Sequence, residues 1–309
     1  MVKKTKLNLL VVGGTGFIGY HVILAAKKKG LNITSLSIHR PKKKRHVKNV
    51  KYITANIANF EELKKKVKNN FNYIVNLGGY GRHDDFAKGG SEIFKNHFLG
   101  VVNLTKIFSK KKIKKFIQIG SSEEYGKTKA PQSENLEGYP TSPYALAKLA
   151  STKYLQILYK KEKFPSTILR LFLVYGPHQD ENRALPQIIK GCLKNKKFPT
   201  TKGNQIRDFC YIDDVVDAIF LTMFSKTSNG EIINIGSGET FKIKNVIEKV
   251  RQIIGKGKPQ YGKMSLRKNE NINLYPKIEK AKIKIKWYPK IKFDQGIRFV
   301  LRSMSKKYL

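Results

Sequence analysis

Only two cysteines, Cys192 and Cys210, occur in 309 residues. Two cannot build the disulfide framework of a small secreted domain, and their spacing matches no metal motif. The six histidines are scattered, so no metal site is expected. Long apolar runs are missing too: nothing approaches the roughly 18 residues that cross a bilayer. The opening MVKKTKLNLLVV has the basic-then-apolar order of a secretory leader, yet Gly13, Gly14 and Gly16 interrupt it and no A-x-A site follows at a fitting distance. These absences predict a cytoplasmic protein in a reducing compartment, with no membrane partner. Negative charge is also scarce. Asp and Glu number 22 against 62 Lys and Arg, leaving a net charge of +40. Such an excess would suit nucleic acid or an anionic membrane if it were concentrated on one face. Instead the lysines run through the whole chain, including 27–29, 64–66 and the KKKIKK run at 110–115, with no interleaved aromatics to stack bases. The pattern fits a solvated surface that still attracts small anionic substrates.

What is present is an alternation of apolar and amphipathic segments. Short apolar runs at 7–12, 33–38, 50–53, 73–77 and 116–119 read as buried strands. Helical periodicity at 17–29, 61–68 and 97–109 separates them, and a long helix runs from Tyr144 to about 161. A sixth strand is expected at 166–174, with later helices near 185–194, 213–224 and 244–254, and a loop over 255–271. Alternating strands and helices imply an α/β fold, a Rossmann-type doubly wound parallel sheet. The looser pattern beyond Pro177 implies a smaller C-terminal α/β lobe. The expected division is 1–175 for the dinucleotide-binding domain and 176–309 for the substrate-binding lobe, interleaved at the boundary. No polar linker separates them.

Gly13, Gly16 and Gly19 stand in a G-x-x-G-x-x-G pattern after an expected strand and before an expected helix. Glycines permit the tight turn and the close approach of backbone to a pyrophosphate, and the helix N-terminus offers amides and a positive dipole. Thr15, Phe17 and Ile18 complete this candidate cofactor loop. An acidic residue at the end of the second strand would bind the ribose hydroxyls of NAD, whereas a basic one accepts the extra phosphate of NADP. The segment here is SLSIHRPKKKR, without Asp or Glu between Asn32 and Ile53. Arg40 is the natural clamp, beside Ser37 and His39. NADP(H) is therefore favoured, with NAD(H) also possible.

Tyr144 and Lys148 are four residues apart, on one helix face. A free phenol has a pKa near 10 and is a poor base. A neighbouring ammonium favours the phenolate, so this pair can exchange a proton with a sugar oxygen while hydride leaves or reaches carbon. Ser121, at the end of the strand at 116–119, can hydrogen-bond the same oxygen.

Around these residues stand GGTGFIG, NHFLGVVNL from Asn96, GSSEEYG from Gly120, SPYALAK from Ser142, LRLFLVYGP from Leu169, RDFCYIDD from Arg207 and NIGSG from Asn234. In order and separation they resemble the extended short-chain dehydrogenase/reductase family, the nucleotide-sugar epimerase, dehydratase and reductase group. The resemblance covers nearly the whole chain. It implies that Ser121, Tyr144 and Lys148 are catalytic, that Lys148 also binds the nicotinamide ribose, and that Asn96 supports the active-site helix. It places Asn56 and Ile57 beside the cofactor adenine, and Ser122, Leu173 and Arg207 beside the substrate, Arg207 at its diphosphate. It also implies a homodimer through the helices at 97–109 and after Tyr144. Several positions depart from the pattern. Gly78 and Gly79 replace alanines, Leu173 replaces a common Asn, and Asn56 replaces a common Asp.

Three chemistries share such a scaffold. Glu123 occupies the place of an extra acid/base in dehydratases and decarboxylases, but Ser122 is not the Asp of thymidine-type dehydratases. Glu124, where Val or Leu is usual, resembles 4-ketoreductases, and the missing acidic clamp agrees with NADPH. Reduction of a 4-keto sugar is therefore the first expectation, with 4-epimerisation or 4,6-dehydration as alternatives. A dinucleotide-binding sensor or nucleic-acid-associated protein is the non-enzyme alternative, opposed by the intact Ser121, Tyr144 and Lys148.

Overall fold

The computed structural model describes residues 6–68, 70–79, 84–109, 113–266 and 270–308. Parts of the opening segment, of the lysine run at 110–115 and of the loop expected at 255–271 lie outside the described residues. The first half contains β1 (Asn8–Val12), α1 (Phe17–Lys28), β2 (Asn32–Ser37), β3 (Lys51–Thr54), α2 (Phe60–Lys66), β4 (Tyr73–Asn76), α3 (Gly90–Ser109), β5 (Lys115–Ser121), α4 (Pro143–Glu162) and β6 (Ser166–Leu171). The second half contains β7 (Leu173–Tyr175), α5 (Ala184–Leu193), β8 (Lys197–Pro199), β9 (Ile206–Tyr211), α6 (Ile212–Phe224), β10 (Ile232–Ile235), β11 (Thr240–Lys242), α7 (Ile243–Ile254), β12 (Lys258–Gln260), β13 (Asn273–Leu274), α8 (Glu279–Ile285) and α9 (Phe293–Tyr308).

Seven strands pair in parallel in the order β10-β6-β5-β4-β1-β2-β3. Two-residue periodicity sends alternate side chains of each strand to opposite faces. Leu9 and Val11 join a core with Val22 and Ile23 of α1 and Val215 and Ile219 of α6. Leu10 and Val12 join a second core with Leu104 and Phe108 of α3 and Leu155 of α4. Both faces are covered, which is why the strands read as unbroken apolar runs. The strand order reverses between β1 and β4, and ligands of such sheets bind at the carboxyl ends of the strands beside that switch.

The expected strand at 166–174 is two strands. β6 stays in the large sheet, whereas β7 pairs with β9 in a small sheet that also holds β11 and β13. At the break, the Phe172 amide donates to the Ile235 carbonyl at 3.0 Å. The helix expected at 97–109 begins at Gly90. The seventh strand, β10, comes from beyond residue 175 and closes the large sheet beside β6. The segment at 255–271 is not wholly loop, since β12 pairs with β8.

The small sheet is tied down by buried carboxylates. Asp208 of β9 accepts the amides of Ser237 and Gly238 at 2.6 and 2.7 Å. Asp214 of α6 accepts those of Lys290 and Ile291, and its carbonyl accepts the indole N–H of buried Trp287. No helix among the described residues is long and apolar enough to cross a membrane.

Candidate active site

The glycine loop joins β1 to α1. Gly13 has φ of 76°, a left-handed conformation natural to glycine. A Cβ on Gly19 would meet the Gly13 carbonyl oxygen at 2.4 Å and the Gly14 Cα at 2.6 Å, both backbone. The helix starts at Gly16 with no side-chain cap and no acidic residue in its first turn. Its first amides are thus left to an anion, the arrangement a pyrophosphate requires. Both observations fit a dinucleotide cradle built from Gly13, Thr15, Gly16, Phe17, Ile18 and Gly19.

Around the cradle the expected residues fall as follows. The Ser37 hydroxyl accepts the Thr15 amide at 3.3 Å and so fixes the loop. Arg40 is exposed beyond the end of β2. Arg45, by contrast, is buried and donates to Asp180 at 2.8 Å and to the His178 carbonyl. Asn56 turns its carboxamide oxygen back to the Ala58 amide at 2.9 Å. Ile57 is buried, and its carbonyl accepts from Asn103 of α3.

Ser121 closes β5 and caps the following 3-10 turn, its hydroxyl accepting the Glu123 amide at 3.2 Å. α4 starts cleanly because the Ser142 hydroxyl caps the Ala145 amide and Pro143 fits the first turn. This puts Tyr144 in the first turn and Lys148 one turn later. The Tyr144 phenol hydrogen-bonds Ser121. Lys148 Nζ donates to the Ile119 carbonyl at 2.8 Å and lies 5.8 Å from the Tyr144 ring centroid. The three side chains converge at the carboxyl edge of the sheet, the edge that carries the glycine loop.

The electrostatics differ from the expectation that an ammonium lowers the phenol's pKa. Burial pushes Tyr144 up to about 12, against the lowering effect of the Ser121 bond. Burial also pulls Lys148 down to about 8, opposed by the charge of Glu124. Desolvation dominates because both groups are enclosed and Nζ is committed to a carbonyl. Tyr144 is therefore a neutral phenol in the protein alone, ready to donate a proton.

Several residues carry more than the sequence reading assigned. Asn96 is half-buried, but its neighbour His97 is buried and meets the Tyr144 ring edge-on at 5.1 Å. A Cβ on Gly79 would lie 1.9 Å from the His97 ring, so a large residue on α3 explains the small one after β4. The repeat Ile93, His97, Val101, Leu104, Phe108 could have revealed it as one buried helix face. Glu124 points inward, fully buried, and accepts from Ser121, Thr152 and Arg170, all at 2.8 Å. Glu123 is half-buried and Ser122 is buried. Both Glu123 and Arg183, the residue preceding α5, act electrostatically on Tyr144.

Arg207 of β9 donates to Glu270 at 2.7 Å and to the carbonyls of Ile206 and Ile272. Leu173 is 39% exposed on β7, paired with Phe209 of β9. A cleft of about 770 Å³ opens between Lys6, Lys27 and Lys51, at the amino ends of the strands. None of the candidate catalytic or cradle residues lines it. Among the described residues no group of three or more His, Cys, Asp or Glu is placed to hold a metal.

The family model for the NAD dependent epimerase/dehydratase family matches residues 9–236. The chain belongs to this family. It is similar to a dTDP-D-glucose 4,6-dehydratase of Dictyostelium discoideum, 29% identical over 77% of this chain and 60% of that protein's length. It is also similar to the crystal structure of UDP-glucose 4-epimerase with UDP-glucose from Thermotoga maritima, with TM-score 0.89, 25% identity and coverage of 98% of this chain and 100% of that one. A UDP-glucuronic acid 4-epimerase from Bacillus cereus, in complex with UDP-glucuronic acid and NAD, matches with TM-score 0.87, 25% identity and coverage of 97% and 99%.

Proposed function

We propose that this chain interconverts nucleoside-diphosphate sugars, using a nicotinamide dinucleotide that is regenerated within each turnover, and that 4-epimerisation is its leading reaction. The convergence of Ser121, Tyr144 and Lys148 beside an uncapped glycine loop carries the reading. The dinucleotide supplies hydride acceptance and return when bound. Tyr144 holds or gives the proton of the sugar hydroxyl, and Ser121 orients that hydroxyl through the bond it already makes to the phenol. Lys148, kept near Tyr144 by the Ile119 carbonyl, favours the phenolate whenever Tyr144 must take a proton. Arg207 is the candidate for the substrate diphosphate, whose geometry its planar fork matches.

The reduction of a 4-keto sugar, first among the expectations, leaned on Glu124. That carboxylate is enclosed and fully bonded within the protein, so it says nothing about the sugar. The relatives stand closer to epimerases and dehydratases. A 4,6-dehydration is the second reading, favoured by Glu123 beside Tyr144. For the cofactor, the exposed Arg40 and the missing carboxylate favour NADP(H), while the NAD in the Bacillus cereus structure favours NAD(H). A homodimer through α3 and α4 belongs to the same proposal. It would cover Leu146 and Ile157, which are 39% and 61% exposed, and sedimentation of the whole chain tests it.

Incubation with UDP-glucose, UDP-glucuronate and dTDP-glucose, followed by product mass and cofactor absorbance, separates the reactions. An epimer of unchanged mass supports the first reading, loss of one water the second, and stoichiometric consumption of reduced cofactor on the 4-keto forms restores the reductase. Tyr144→Phe should lower turnover at least about a hundredfold while dinucleotide binding persists. Turnover near wild type would end the assignment.

A further inference from the structure

The carboxylate of Glu124 lies behind the catalytic residues rather than among them. It is 0% exposed. One oxygen accepts the Ser121 amide at 2.8 Å; the other accepts the Thr152 hydroxyl and the Arg170 Nε, each at 2.8 Å. Ser121 ends β5, Thr152 lies one helical turn beyond Lys148 on α4, and Arg170 belongs to β6. Three elements therefore meet on one side chain. The arrangement is built around it: a Cβ on Gly120 would come within 2.5 Å of its carboxylate. The Arg170 guanidinium stacks 4.5 Å from the Tyr125 ring centroid, and the Tyr125 hydroxyl donates to Asn234 of β10.

We propose that Glu124 is a positioning residue of this active site: its carboxylate locks Ser121 and the helix bearing Tyr144 and Lys148 in register with β6, and places a negative charge behind the Tyr144–Lys148 pair. The inference rests on the proposed reading that these residues perform the chemistry. The groups around Lys148 are few. Tyr144 shares its helix, Ser121 and the Ile119 carbonyl come from β5, and Glu123 and Glu124 come from the turn. His97 of α3 touches Tyr144, Arg170 lies beyond Glu124 on β6, and Arg183 reaches Tyr144 from the start of α5. Of these, Glu124 is the charge that raises the pKa of Lys148 against its burial. Glu124→Gln keeps the shape and removes that charge, leaving Arg170 as an unbalanced cation nearby. Lys148 then loses its proton at lower pH, and Tyr144 loses a charge that raises its own pKa.

The test follows turnover against pH for whichever of UDP-glucose, UDP-glucuronate and dTDP-glucose reacts. It also follows the ultraviolet absorbance of the Tyr144 phenolate with NAD+ or NADP+ bound, taken as a difference from Tyr144→Phe. In Glu124→Gln the alkaline limb should move down by about one unit. Near pH 8 the charged fraction of Lys148 then drops from about half to about a tenth, roughly a fivefold loss of kcat with little change in KM. The phenolate titration should move down, because the charge of Glu124 also raises the pKa of Tyr144. If Glu124→Gln does not fold, Glu124→Val with Arg170→Met removes both charges and keeps an apolar fill; the same displaced limb is expected. A wild-type pH profile and phenolate titration in either folded variant overturns the proposal. Tyr144→Phe separates the two layers. If it stays active, the reading of the active site fails; if it is inactive while Glu124→Gln behaves as wild type, only the role of Glu124 fails.

Discussion

Replacing Gly19 by alanine tests the cofactor cradle directly. In an ordinary helix interior, Gly→Ala gains about 1 kcal/mol from helix propensity. Here the new Cβ would meet the Gly13 carbonyl oxygen at 2.4 Å and the Gly14 Cα at 2.6 Å, inside contact distance and against backbone that cannot swing away. Relief requires the 13–16 turn to move off α1, at an overpacking cost of about 1–3 kcal/mol. The turn is also held from its far side, where a Cβ on Gly13 would meet Leu77 backbone at 2.9 Å, so little room exists for retreat. A dinucleotide that binds only the native protein at about a hundred times its Kd stabilises it by about 2.7 kcal/mol. Wild type should therefore melt several degrees higher with saturating NAD+ or NADP+, and Gly19→Ala should lose most of that increment. Gly30→Ala is the control: Gly30 has φ of 71° and an added Cβ there would have nothing within 4 Å, so the change costs about 1 kcal/mol of backbone strain and keeps the ligand increment. A full ligand-induced rise in Gly19→Ala would refute the cradle.

Three further expectations follow from the same geometry. Arg207→Lys retains charge but loses the fork that reaches Glu270 and two carbonyls; KM for the nucleotide sugar should rise about tenfold or more with dinucleotide affinity unchanged, and an unchanged KM removes Arg207 from the substrate site. Burial holds Asp208 up to about 6 in spite of its two amide bonds. Its native pKa lies above the unfolded value of 3.8, so the native state binds the proton more readily; its contribution is largest below about pH 4 and declines as pH rises to about 6, by at most about 3 kcal/mol. The melting difference between wild type and Asp208→Asn should fall over that window, and a flat difference contradicts it. Finally, fluorescence titration with NADPH and NADH decides the cofactor: if Arg40 meets the extra phosphate, Arg40→Ala should weaken NADPH and leave NADH unchanged, and an equal effect on both removes Arg40 from the site.

The sequence by itself determined the elements whose physics is local. Runs such as Leu9–Val12 are apolar because both faces of the sheet are covered, and that shows without a structure. Gly13, Gly16 and Gly19 marked the strand-to-helix turn because few other residues tolerate it, and the spacing of Tyr144 and Lys148 placed them on one face of one helix. What depended on residues distant in the chain was decided only by the tertiary structure. The split at Phe172 follows from two competing partners, β10 and β9, that lie about 60 and 35 residues further on. The high pKa of Tyr144 and the low one of Lys148 come from enclosure, and an i, i+4 spacing contains no information about burial. Glu124 reads only as a carboxylate where Val or Leu is usual until the fold turns it inward onto Thr152 and Arg170. His97 matters only because α3 presents it to a ring 47 residues away in sequence, across a gap that Gly79 leaves open.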